Sequence, residues 1–199
     1  MGHAGMAAAA VRYLGSARAP APVEALPRPE LRCVREDERA PVDQAEFRRV
    51  LGNFATGVTI VTAPPSDSAD GPAGFACQSF SSLSLDPPLV AFMVGRTSTT
   101  WPRIARAGVF CVNVLSAGQG ELCRAFAVSG ADKFTGVPYD AAPASGSPRL
   151  AGTLAWIDCT IHAVHTGGDH LIVVGRVDAL GASDRDEAAP LLFHKGRFL

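Results

Sequence analysis

Ala155-Trp156-Ile157-Asp158-Cys159-Thr160-Ile161-His162-Ala163 and Leu171-Ile172-Val173-Val174-Gly175-Arg176-Val177-Asp178 stand on either side of Gly167-Gly168. In the first run Ala155, Ile157, Cys159, Ile161 and Ala163 alternate with Trp156, Asp158, Thr160 and His162. In the second, Leu171, Val173 and Val177 alternate with Arg176 and Asp178. A period of two sends alternate side chains to opposite faces of a strand. The glycine pair supplies a tight connection, so the segment reads as one long hairpin with one buried face.

Upstream, β-rich runs occupy Val58 to Thr62, Ala73 to Gln78, Leu89 to Val94 and Val109 to Leu115. Two helical stretches interrupt them, Thr99 to Ala107, ended by Gly108, and Gly120 to Ser129, carrying Leu122, Ala125 and Phe126. An earlier helix opens with Asp43 and Glu46 in capping-box spacing and carries Phe47, Val50, Leu51 and Phe54 as one stripe. A last run, Leu191 to Phe198, suits an edge strand. Strands joined mainly by turns commonly remove their exposed edges by closing on themselves. The expected fold is therefore mainly β, an antiparallel barrel with a few peripheral helices. It occupies residues 43–199. Residues 1–42, with Pro20, Pro22, Pro27, Pro29 and Pro41 breaking every helical stretch, read as a flexible N-terminal extension.

Composition excludes several classes of protein. The chain is 47% apolar and 19% charged, with formal charge −1, as a globular protein should be. Arg outnumbers Lys sixteen to two, yet acids balance the bases and no basic run exceeds two residues, so no nucleic-acid partner is expected. Cys33, Cys77, Cys111, Cys123 and Cys159 are odd in number and form no Cys-x-x-Cys pair, which fits a reducing cytoplasm. Ala7 to Val11 is too short for the apolar part of a secretory signal. No run approaches the roughly 20 apolar residues that span a bilayer, so no membrane association is expected.

Gly118-Gln119-Gly120-Glu121-Leu122-Cys123 approaches the dinucleotide fingerprint, but its third glycine is missing. Asp140, the acid at the right distance, sits between prolines rather than at the end of a strand, so a turn and helix start is expected. His162 and His165 point to opposite faces if they lie on a strand, and no metal site is expected. Hydrolase, Walker and kinase motifs are absent from the sequence.

Gly74-Phe75-Ala76-Cys77-Gln78-Ser79-Phe80-Ser81-Ser82-Leu83-Ser84-Leu85-Asp86-Pro87-Pro88-Leu89-Val90 crowds small and hydroxyl residues between two apolar strands. Such a connection can hold the polar edge of a flat ring and a phosphate. It can equally be a serine-rich turn that satisfies itself, and residue types alone favour the turn.

This block resembles part of the flavin reductase-like family. So, in the same order, do Thr56-Gly57-Val58-Thr59-Ile60-Val61-Thr62, Phe110-Cys111-Val112-Asn113-Val114-Leu115, Asp132-Lys133-Phe134, Gly168-Asp169-His170 and Pro190-Leu191-Leu192-Phe193. Within the family, the chain is most similar to small NADH:flavin oxidoreductases that serve two-component hydroxylases and halogenases. The resemblance covers nearly all of residues 43–199. It implies an antiparallel Greek-key split β-barrel, the FMN-binding split barrel, and a homodimer. It places FAD or FMN across Pro72, Ala73, Gly74, Phe75, Ala76, Gln78 and Ser79. Met93, Val94, Gly95, Thr99 and Thr100 would line the isoalloxazine and phosphate, with Ala125 and Phe126 on the far side and Gly168, Asp169 and Phe193 at the border. His170 would stand beside the nicotinamide of NADH as the catalytic candidate. The segment before Asp43 has no counterpart in the family, and Arg124 sits one place from where close relatives carry an arginine.

The resemblance thus implies an NAD(P)H-dependent reductase that makes free FADH2 or FMNH2 for a separate monooxygenase or halogenase. Hydride transfer from nicotinamide to flavin N5 belongs to the two cofactors, so the protein need only stack the rings, and no strong acid or base is required. NADH is expected over NADPH, because no Arg cluster follows a candidate ribose site. Gly74 and Ala76 are expected to let the ring approach the main chain, and the Ser79 hydroxyl to donate to it. Two alternatives stand beside this reading: a split-barrel protein that binds flavin or haem without turnover, and a flavin-dependent oxidase.

Overall fold

The computed structural model describes residues 42–66, 71–130, 132–183 and 188–199. The expected extension lies, apart from Val42, outside the described residues. Asp43 caps α1 (Gln44–Leu51), its carboxylate accepting from the amides of Ala45 and Glu46 at 2.9 and 3.0 Å. Glu46 pairs with Arg49 instead of returning to the cap, so only half of the capping box forms. No residue of α1 is buried: Phe47, Val50 and Leu51 are 56, 49 and 54% exposed, and Phe54, which continues the stripe beyond the helix, is 77% exposed.

Seven strands form one antiparallel sheet: β2 (Thr59–Ala63), β3 (Ala73–Cys77), β4 (Ser81–Leu85), β5 (Pro88–Gly95), β6 (Val109–Val114), β9 (Ala155–Gly167) and β10 (His170–Ala182). Their order is β3-β2-β6-β9-β10-β5-β4. The two edge strands, β3 and β4, are consecutive in the chain and joined by three residues, Gln78 to Phe80. Such a link reaches on the order of 14 Å. The sheet must therefore roll until its edges lie side by side. No β3–β4 ladder closes the seam, which makes the barrel a split one, as expected. Across the seam the rings of Phe75 and Phe92 lie 5.9 Å apart. The barrel interior holds Phe92, Phe110, Ile104 and Val173, all fully buried, with Phe110 edge-on to Phe92 at 5.2 Å. Gly175 leaves room for Phe110, since a Cβ there would stand 2.4 Å from its ring.

Helix α2 (Trp101–Ala107) ends at Gly108 in the left-handed conformation, as the sequence indicates. Helix α3 (Gly120–Ala127) packs Cys123 and Phe126 onto the outer face of β2 in a second core with Val58, Ile60, Leu115 and Leu191. β2 is consequently buried on both faces. The near-fingerprint at Gly118 is a 3-10 turn leading into α3, within an antiparallel setting.

Three local expectations are corrected. The serine-rich connection is not wholly a loop, because Ser81–Leu85 pairs with β5 as a strand, and its Leu83 and Leu85 are 55 and 87% exposed. The run Leu191 to Phe198 is not a barrel edge: β11 (Leu192–His194) and β12 (Arg197–Phe198) form a separate small sheet with β1 (Thr56–Gly57). Lys195 and Gly196, both at positive φ, turn β11 into β12, which a single strand could not accommodate.

The long hairpin also departs from a single buried face. Asp158, expected outward, has no exposed surface. The connection between β7 (Tyr139–Ala141) and β8 (Pro148–Leu150) covers it. Its carboxylate accepts from the amides of Ala144 at 2.8 Å and Ser145 at 3.1 Å and from the Ser145 hydroxyl. Asn113, fully buried, fastens the same hairpin by accepting from Leu150 N at 2.8 Å and donating to Pro148 O.

Candidate functional site

A cavity of about 630 Å³ lies over the split in the barrel. One wall is the end of β3 and its continuation, Phe75 to Ser79; the opposite wall is Met93, Val94 and Gly95 at the end of β5. Thr97 to Thr100 close one end, α3 contributes Cys123, Arg124, Phe126 and Ala127, and His170, Phe193 and Phe198 complete the rim. Beyond it, a second cavity of about 470 Å³ is lined by Gly71, Pro72, Arg103, Gly130, Asp132 and Phe134. Gly74 lines the smaller cavity, and Thr99, Thr100 and Lys133 line both.

Ser79, in the link between β3 and β4, is hooked to β5. Its hydroxyl donates to the Met93 carbonyl at 3.1 Å and accepts from the Met93 amide at 2.9 Å. The β4–β5 ladder pairs Ser81 with Ala91, so Ser79 and Met93 occupy the next antiparallel step, with a side chain replacing the main chain. This corrects the expectation that the hydroxyl's proton points to a ligand: it is engaged by Met93.

The small residue at Gly74 also serves a different purpose from the one expected. A Cβ there would stand 2.8 Å from the Phe126 ring and 3.1 Å from that of Phe134. Gly74 therefore makes room for two packed aromatic rings, which meet edge-on at 5.0 Å, while it still lines the smaller cavity.

Lys133 was missed by the sequence reading as a site residue, although it stands in the Asp132-Lys133-Phe134 motif. Its ammonium donates to the Gly74 carbonyl at 3.1 Å and the Phe126 carbonyl at 3.0 Å, tying β3 to α3 at the waist between the cavities. Burial pushes its pKa below the ordinary lysine range. Arg124 donates to Glu121 and lies 5.1 Å over the ring of Phe198. Cys77 and Cys123 line the cavity with thiols pushed up by burial, so they are neutral lining groups rather than nucleophiles.

His170 pairs with Gly95 at the start of β10 and stands at the cavity rim. Its Nδ1 lies 2.8 Å from Oδ1 of Asp169, while Nε2 faces the Gly95 side. This partnership holds the Asp169 carboxyl below the usual carboxylate range. Gly168 makes the preceding turn at φ 68°.

Of the residues named from sequence, Phe75, Ala76, Gln78, Ser79, Met93, Val94, Gly95, Thr99, Thr100, Phe126, His170 and Phe193 converge on the larger cavity. Pro72 and Gly74 line the smaller one. Ala73 packs in the barrel core, and Ala125 lies on the exposed side of α3; neither lines a cavity. Gly168 and Asp169 line neither cavity and lie in the turn that carries His170. The converging groups are largely uncharged main chain, hydroxyls and apolar side chains. They suit a flat heteroaromatic ligand held by shape and hydrogen bonds.

A family model described as the flavin reductase like domain matches residues 51–199, and the chain belongs to that family. Over 158 residues it is 49% identical to the reductase subunit HsaB of a flavin-dependent monooxygenase from Rhodococcus jostii, covering 79% of this chain and 77% of the relative. Among solved structures, it resembles nitrilotriacetate monooxygenase component B from Mycobacterium thermoresistibile, with TM-score 0.74 and 46% identity over 78% of this chain and 85% of that one. The NADH:FAD oxidoreductase SgcE6 of Streptomyces globisporus, solved with NAD and FAD fragments, matches at TM-score 0.73 and 39% identity, covering 79% and 92% of the two chains.

Proposed function

We propose that this chain is an NADH:flavin oxidoreductase that supplies free reduced flavin to a separate flavin-dependent monooxygenase. The observation that carries the reading is the cavity over the barrel split, together with membership of the family. Flavin bound there takes a hydride at N5 from the nicotinamide of NADH. Phe75 to Ser79 and Met93 to Gly95 flank the ring, Thr99 and Thr100 meet its phosphate, and Phe126 closes the far side. His170, oriented by Asp169, positions the nicotinamide. A site without a strong acid or base is sufficient, because orientation is what the protein contributes.

Residues 43–199 hold the activity, and Phe47, Val50 and Leu51 of α1, Phe54 just beyond it, and Leu83 and Leu85 of β4 form the contact of a homodimer. Their exposure supports this, since large apolar side chains left open to water on a helix and a strand are candidates for burial against a partner. The buried free thiols Cys77, Cys111, Cys123 and Cys159 suit the reducing cytoplasm. NADH oxidation by the purified protein should depend on added FAD or FMN and should yield reduced flavin anaerobically. NADH oxidation that does not respond to flavin would sink the assignment, and elution as a monomer in size exclusion would remove the dimer.

A further inference from the structure

We propose that Met93 is an oxidation site by which the reductase limits itself: hydrogen peroxide formed where reduced flavin meets dioxygen in the cavity converts the Met93 thioether to the sulfoxide, and the altered wall binds flavin more weakly. The inference rests on the flavin reading above. It comprises two balanced steps. Reduced flavin passes two electrons and two protons to dioxygen, giving oxidised flavin and hydrogen peroxide. The O–O bond of the peroxide then breaks as one oxygen bonds to the Met93 sulfur, and the other leaves as water. A monooxygenase that removes the reduced flavin prevents both steps, so the modification reports turnover without a consumer.

Position singles out this side chain. Met93 lines the larger cavity, is 42% exposed, and is the only methionine among the described residues. On β5 it stands between the buried Phe92 and Val94, as the outward member of the alternation. Its main chain has Ile172 of β10 as register partner and is hydrogen-bonded by the Ser79 hydroxyl, so the strand holds the residue at the wall. The other sulfur groups of the cavity are shielded. Cys77 and Cys123 are 4 and 5% exposed, and burial keeps their thiols protonated, whereas peroxide attacks the thiolate. A thioether has no proton to lose, so burial of charge gives it no such protection. Its sulfoxide is polar and chiral, set into a wall that Phe75, Ala76 and Val94 otherwise make apolar.

The test is prolonged aerobic turnover of the purified protein with NADH and FAD, with catalase in solution to remove peroxide from the bulk. Mass spectrometry of the Met93 peptide should then show the gain of one oxygen. Flavin affinity, read by fluorescence quenching, should fall about tenfold, the effect of setting an unpaired polar group against the ring. Methionine sulfoxide reductase should restore it, and the same incubation without dioxygen should change neither reading. Met93→Leu, whatever its starting rate, should keep that rate through the aerobic incubation while wild type declines. An unmodified Met93 after aerobic turnover overturns the proposal, as does an oxidised protein that binds flavin as before or a Met93→Leu variant that declines like wild type. Complete protection by catalase overturns the origin of the oxidant within the cavity. NADH that is not consumed in the presence of FAD would refute the parent reading itself, a result distinct from each of these.

Discussion

The Ser79 hydroxyl both gives a hydrogen bond to the Met93 carbonyl and receives one from the Met93 amide, at 3.1 and 2.9 Å, where the β4–β5 ladder runs out beside the open seam of the barrel. One side chain thus takes the place of a missing rung. Ser79→Ala leaves both main-chain groups without this partner. At a half-buried position, the expected cost is about 1 kcal/mol per lost bond, at most, and a fall of several degrees in Tm. Flavin affinity should drop in the same variant, because the two walls of the cavity move. Unchanged melting in calorimetry would show that water replaces the hydroxyl without loss.

His170 is held by Asp169 through Nδ1, so its reach towards the cavity is through Nε2. His170→Ala should raise the NADH KM or slow flavin reduction several-fold while FAD affinity and Tm stay near wild type. Because the Asp169 carboxylate is held below its usual range, the bond should persist as pH falls, until the pH passes below the ordinary carboxylate range. Stopped-flow reduction between pH 5 and pH 8 should therefore show no step from Asp169 (about 3.9 when unperturbed). A step there that Asp169→Asn abolishes would contradict this.

Gly74→Ala drives a methyl group into the rings of Phe126 and Phe134. Overpacking of this kind costs about 1–3 kcal/mol. The Lys133 contact to the Gly74 carbonyl should loosen with it, so chemical denaturation and FAD binding should weaken together. A variant as stable as wild type would mean that the rings have room to shift.

Strand positions were legible in the sequence because the β-rich apolar runs of β5 and β6 and the alternation of the long hairpin follow from their burial. Most cavity residues were legible through the resemblance. What the sequence could not convey was direction. Gly74 and Ser79 were singled out for the right neighbourhood and the wrong partner, since which way a Cβ or hydroxyl points depends on strands distant in sequence. Lys133 went unread because a lone lysine between Asp132 and Phe134 has no local signature; its role comes from two carbonyls, one of them on β3. Asp158 broke its alternation for a similar reason, as its burial depends on the β7–β8 connection, which no period announces.

Asp158→Ala removes the acceptor of two amides and one hydroxyl beneath that connection. Leaving such groups unpaired costs about 1–3 kcal/mol for each that water cannot reach. A large fall in Tm is expected, with FAD affinity in the surviving folded fraction unaltered, since the cluster lines neither cavity. Impaired FAD binding in that fraction would connect the hairpin to the site.

β10 has a partner on both flanks, β9 and β5, along the length that ends at His170. In deuterated solvent, amide protons around Val173 to Gly175 should be among the last to exchange, requiring near-global opening, whereas those of α1, where no residue is buried, should be lost first. Exchange protection should decline along β10 towards His170 without vanishing. The rim that carries His170 is then anchored to a ladder expected to be among the slowest to exchange, and its shape is set before any ligand arrives.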